Sequence, residues 1–188
     1  MVFAANRLTV RARATKVAMR STARQKQVFY GKTRSVDIMT MTKWTDADFE
    51  RLSWHDNHVH GFAIREGEYG AGQLVLDIDY ILEWLCEADK TCRFMLAPAD
   101  LVFQEVTNLK IRVDYKGMAM GPLSIGEIRR ERTKLTKQFG RYRWTIVFNF
   151  PEGKIVFLAS GFVQELRAAP VESSRQCLTW QERRRTRR

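Results

Sequence analysis

The sequence predicts a mainly β fold, an antiparallel β-sandwich or open barrel, and three observations carry that prediction. Apolar residues recur at every second position over long stretches: Leu74, Leu76, Ile78, Tyr80, Leu82 and Trp84 in one, Tyr142, Trp144, Ile146, Phe148 and Phe150 in another. A period of two puts such side chains on one face of an extended strand. The stretches are short and divided by turn-forming runs, with glycines at 67, 70 and 72 before one and Pro151-Glu152-Gly153 after another. Hydrophobic residues make up 45% of the 188 and aromatic residues 11%, enough for a packed core. No apolar run approaches the roughly 18 residues of a membrane-spanning helix, so no membrane partner is expected.

Taken in order, Thr45–Leu52 reads as one short N-terminal helix. Thr45 can cap it, Asp46 and Asp48 suit the positive end of its dipole, and Trp44 with Phe49 can form a hydrophobic staple. Strands follow at Trp54–Glu66 and Gln73–Cys86, the second in competition with a helix over Asp79–Glu87. Glu87–Thr91 is a polar turn. Cys92–Leu96, Asp100–Glu105 and Asn108–Tyr115 read as strands, with Pro98 suited to a boundary or an edge. Lys116–Pro122 breaks the pattern and Leu123–Arg132 resumes it. Lys134–Gly140 is a loop, and Arg141–Phe150, Lys154–Ala159 and Gly161–Arg167 complete the set.

The formal net charge is +11, but it is unevenly placed. Residues 1–36 carry +9 and no acid, residues 174–188 carry +5, and residues 37–173 carry −3. Blocks of like charge repel and stay solvated. The chain therefore divides into a basic flexible N-terminal extension (1–40), a single β-rich domain (41–170) and a basic flexible C-terminal tail (171–188). The tails can lend non-specific affinity for nucleic acid by counterion release. The N-terminal stretch has the composition of an organelle transit peptide; a start of synthesis near Met39 or Met41 is the preferred reading, because patterned sequence begins directly after Met41. With no secretory h-region, a soluble, cytoplasmic protein is expected.

All three histidines lie in Trp54-His55-Asp56-Asn57-His58-Val59-His60-Gly61. On a strand, His58 and His60 share a face about 6.6 Å apart, a spacing at which two imidazoles can hold zinc or a similar divalent metal. The next strand supplies Asp77 and Asp79 at the same spacing, and a metal-bound water there would be a nucleophile near neutral pH. Parity opposes this assembly. Asp77 and Asp79 alternate with the apolar Leu74–Trp84 series and face solvent, whereas His58 and His60 share parity with Phe62 and Ile64 and face the core unless a bulge intervenes. The preferred reading makes them structural polar residues and expects no cofactor. His55 and Asp56 are candidates for binding, although Asp56 is better suited to shaping the turn into the first strand. Arg129, Arg130, Arg132, Arg141 and Arg143 form a second basic concentration suited to phosphate or an acidic partner. Cys86, Cys92 and Cys177 make neither an even framework nor a CxxC pair. Nucleophile-elbow, phosphate-loop and dinucleotide fingerprints are absent.

The segment from Ser53 to Gly61, with its Trp-His-Asp-x-His-Val-His-Gly order, and the Leu74-Val75-Leu76-Asp77-Ile78-Asp79 strand after a Gly-rich turn resemble small β-rich bacterial proteins of unassigned function. Some proteins with a similar opening are immunity proteins of polymorphic toxin systems. The resemblance spans residues 44–168 and implies a bacterial β domain with a protein partner; it transfers no catalytic residue. The expected function is thus a non-catalytic binding domain of unknown ligand, with a metal-dependent enzyme using the His55–His60 cluster, and nucleic-acid binding through the tails, as alternatives.

Overall fold

Alternating apolar residues bury one face of each strand, and that face must find another to cover it. The computed structural model describes residues 42–88, 91–117, 120–133 and 142–185. They form strands β1 (Lys43–Thr45), β2 (His58–Glu66), β3 (Gly72–Cys86), β4 (Cys92–Gln104), β5 (Thr107–Asp114), β6 (Leu123–Arg132), β7 (Tyr142–Phe150), β8 (Glu152–Ala159), β9 (Gly161–Leu166) and β10 (Val171–Ser173), and one helix, α1 (Trp180–Arg185). All described pairings are antiparallel, in the order β1-β9-β4-β3-β2-β6-β7-β8-β5, with β10 beside β4.

The sheet is continuous but narrow at its middle. β2 and β6 pair only through His58 with Ser124 and Val59 with Leu123. On either side of that joint the sheet forms two leaves, and their apolar faces meet. Phe103 of β4 lies 5.1 Å from Trp144 of β7 and 4.8 Å from Phe157 of β8, ring centre to ring centre, although these strands are far apart along the sheet. Leu74, Leu76 and Ile78 of β3, Ile146 of β7 and Ile155 of β8 join the same core. The expected open, sandwich-like β fold is what forms.

The ends of the elements show where local signals were overridden. Asp46–Arg51 is a 3₁₀ turn, tighter than the α-helix expected; the Thr45 N–H donates to Asp48 Oδ2 at 3.1 Å. Phe49 packs against Trp54 and Trp144, while Trp44 leaves it for Tyr80. Pro98 does not divide two strands but lies inside the 13-residue β4. Its carbonyl accepts from the Arg167 N–H at 2.8 Å, so its ring nitrogen faces the same side, where β10 (partner of residues 94–96) gives way to β9 (partner of 99–104). No ladder N–H is required at that junction. A register shift between Ile81 and Glu83 turns Trp84 off the core face onto the outer face, where its ring meets Phe94 at 4.9 Å. Cys86 and Cys92 flank the predicted Glu87–Thr91 turn and so could be expected close in space. They stand opposite each other at the end of the β3–β4 hairpin and form a disulfide, although the odd cysteine count argued against a disulfide framework.

The largest departure is at the C-terminus. Residues 171–185 do not trail away as a flexible tail. β10 pairs with β4, Leu178 is buried against Ile81, Phe94 and Leu96, and α1 follows. Together they cover the outer face of β3 and β4. The N-terminal extension, residues 1–40, the Lys134–Gly140 loop and Arg141 lie outside the described residues.

Phe103 and Trp144 join the two leaves and are fully buried. Phe103→Ala is expected to lower unfolding free energy by about 3–5 kcal/mol in urea titration. A change below about 1 kcal/mol would mean that the leaves do not share one core.

Candidate functional site

The histidines and paired carboxylates converge, and a β-bulge brings them together. Register runs His58 to Asp79 and Val59 to Ile78, then resumes with Gly61 opposite Asp77, leaving His60 as the extra residue. Before the bulge, Val59 faces the core with Ile78. After it, Phe62 and Ile64 stand opposite Leu76 and Leu74, sharing their sheet face, and both remain exposed. The parity conflict in the sequence therefore dissolves: His58, His60, Asp77 and Asp79 all lie on the outer face.

That face is not open to solvent. Asp79, expected to be solvated, is 0% exposed. One of its oxygens accepts from His60 Nε2 and from the Leu178 N–H, both at 2.8 Å; the other accepts from Arg183. Arg183 also reaches Asp77, which Arg167 pairs from the other side. Arg183 itself is only 5% exposed, in contrast to its expected place in a solvated tail. Arg167 also lies 3.5 Å from Asp100, so two guanidiniums serve three carboxylates beneath and beside the C-terminal segment. Sequence reading missed Arg167 and Arg183 as partners. One usable signal was present, because Thr179-Trp180-Gln181-Glu182 carries the capping-box spacing. The Thr179 N–H donates to Glu182 Oε2 at 2.6 Å, and the Glu182 N–H donates back to Thr179 Oγ1 at 3.3 Å.

Electrostatics follow from this packing. Burial pushes the Asp79 pKa upward, but the His60 hydrogen bond, the Leu178 N–H and the Arg183 charge outweigh it and leave the carboxyl below its ordinary value. Burial and the neighbouring His60 hold the His58 imidazole below its usual 6.5, against the opposing pull of Asp79 and the carbonyls of Asp56 and Gln176. Cys177, next to Leu178, is a free thiol; burial and Asp79 raise its pKa, which disfavours the reactive thiolate.

The other candidates are dispersed. Asp56 adopts a left-handed backbone (φ 60°) in the turn before β2, and its carboxylate accepts from Asn149 Nδ2 at 3.0 Å and Gln176 Nε2 at 3.3 Å. It shapes the turn and also ties down the C-terminal segment. His55 is exposed, with Nδ1 at 3.0 Å from the Gly126 carbonyl. An added Cβ at Gly126 would come within 2.4 Å of Asn149 Oδ1, so a side chain there would displace the end of Asn149, which donates to Asp56. Strand alternation splits the arginines. Arg129 pairs with Glu127, and Arg143 stands opposite Glu131 across β6 and β7. Arg130 is engaged structurally, donating to the Asp46 carbonyl at 2.9 Å and lying 4.4 Å above the Phe49 ring. Arg132 stands exposed at the end of β6. Among the described residues, no single basic surface gathers Arg129, Arg130, Arg132 and Arg143.

Among the described residues, no group of three or more His, Cys, Asp or Glu side chains is arranged to hold a metal ion. The oxygens of Asp79 already accept N–H groups, and Asp77 is shared by two arginines. No helix among the described residues is long and apolar enough to cross a membrane. Comparison with protein-family models, curated proteins and solved structures finds no match to this chain.

Two measurements probe this network. Removing one member of a buried ion pair strands its partner, so Arg183→Ala is expected to cost about 3–5 kcal/mol in urea unfolding. Equal stability of this variant and the parent would show that Asp79 is not sealed. The pH dependence has a defined sign. Folded His58 resists a proton that the unfolded chain accepts below about 6.5, so stability is complete above that pH and falls as pH drops through it. Asp79 adds a second loss, beginning near the ordinary carboxylate pKa of about 3.9 and continuing below it. His58→Gln should flatten the first decline and leave the second; an unchanged profile between pH 7 and 5 would exclude His58 as its source.

Proposed function

We propose that this chain is a non-catalytic binding domain that engages a macromolecular partner, foremost a protein, through exposed strand surface. One observation carries the reading: the side chains best suited to chemistry are committed to one another. His60, Asp77, Asp79 and Arg183 hold a covering segment in place, and a substrate would have to displace that segment to reach them. The resemblance to bacterial immunity proteins agrees with a protein partner and remains a resemblance. Arg183, one of the basic residues that favoured nucleic-acid binding by the C-terminal end, is spent inside the fold, which weakens that alternative.

Zinc or manganese titration of the purified, untagged chain tests this reading against a metal-dependent enzyme. The binding-domain reading expects no stoichiometric uptake and no rise in melting temperature. Uptake of one equivalent with a stabilising shift that disappears in His60→Gln would overturn it. The compartment has its own readout. Cytoplasmic glutathione keeps most cysteine pairs reduced, so a cytoplasmic chain should show three alkylatable thiols in freshly quenched cells, and a count of one would place it in an oxidising compartment.

A further inference from the structure

β5 ends the sheet: it pairs with β8 on one side and, among the described residues, with no strand on the other. Its Lys110–Asp114 run keeps regular register with β8, so its free side offers N–H and C=O groups to an incoming chain. The side chains there alternate. Lys110 and Arg112 lie exposed on the outer face, and Ile111, turned to the opposite face, is still 39% exposed.

The outer face carries a net positive charge. Lys154 of β8 stands directly opposite Arg112, and like charges so placed repel. Lys110, Arg112 and Lys154 form no ion pair among the described residues, whereas the neighbouring Lys116 is matched by Glu152 at 2.6 Å. Arg112, Lys116 and Lys154, together with Asp114, Glu152 and Val147, line a concavity of about 500 Å³ in which cations outnumber carboxylates three to two. Val156 lies opposite Lys110, so the cations border small apolar side chains, as in a protein interface. The aromatic residue that lines the concavity, Phe148, is buried in the core and offers no open ring face for a base to stack on. Asp114 and Glu152, opposite each other at one end, would repel a carboxylate or a phosphate placed there, so the favourable acidic positions are those beside Lys110 and Arg112.

We propose that the free edge of β5 accepts an extended acidic segment of a partner protein as an added strand. Carboxylates two residues apart would meet Lys110 and Arg112, and the apolar residue between them would cover Ile111. Main-chain hydrogen bonds supply affinity in this mode and the alternating side chains supply selectivity. This assignment rests on the binding-domain reading and adds to it the surface and the chemistry of the partner.

The test uses a fluorescent peptide of alternating glutamate and valine, titrated by anisotropy with the full chain at low and physiological salt. Saturable binding is expected. It should weaken by about tenfold or more in Arg112→Glu combined with Lys154→Glu, and by a smaller factor in the milder Arg112→Gln with Lys154→Gln, both confirmed as folded by circular dichroism. N-methylation of alternate peptide amides should abolish binding, since it blocks strand addition while leaving the charges. Absence of binding, indifference to both substitution pairs, or equal binding of the methylated peptide overturns the proposal. So does a DNA duplex of about 20 base pairs that binds more tightly than the peptide and depends on the same cations. A failed peptide with no metal uptake removes the β5 edge alone, whereas metal uptake removes the binding-domain reading.

Discussion

A buried carboxylate organises one whole side of this molecule. Asp79 sits in the middle of β3 on the outer face, where an ionised group without partners would be strongly unfavourable. It is tolerated because β2 supplies His60, the C-terminal segment supplies the Leu178 N–H, and α1 supplies Arg183. Two of these donors come from the C-terminal segment and one from β2. The bulge in β2, the path of residues 171–185 and the placement of α1 are therefore coupled through one side chain. Replacing such a pair by apolar residues can be neutral for stability, so its distinctive consequence is specification: the segment that covers β3 and β4 has one position in which all the charges are met.

On the other face the organising constraint is apolar. The sheet is nearly divided at β2 and β6, and the core aromatics hold its leaves together. Phe103, Trp144, Phe157 and Phe162 meet as tilted and edge-to-face pairs, an arrangement favoured by the ring quadrupole. The two faces of β3 thus serve different ends. Leu74, Leu76 and Ile78 fill the core between the leaves, and Asp77, Asp79 and Ile81 receive the C-terminal cover.

Much of the fold was legible because alternation is a local property. β3, β6 and β7 appear close to where the period of two places them. Pro98 misled because proline is read as a boundary, and only the handover from β10 to β9 leaves its missing N–H without consequence. Trp84 misled for a related reason: a register shift in mid-strand has no local signature, and it exchanges faces for every residue beyond it. In the candidate site, the residue types were visible and their convergence was not. The bulge at His60 could be stated as a condition, yet no feature of residues 58–61 required it.

By itself the sequence determined the antiparallel β character, most of the apolar faces of β3 and β7 and the concentration of positive charge toward the ends, since these depend on residue type and spacing alone. Tertiary structure decided which carboxylates are sealed, which arginines are spent and what lies over β3. Those outcomes depend on residues about 100 positions apart, as Asp79 and Arg183 are. Composition marked the C-terminal stretch as a solvated tail because a run of arginines is ordinarily solvated. A buried acid within reach reverses that expectation, and only the assembled sheet places one there.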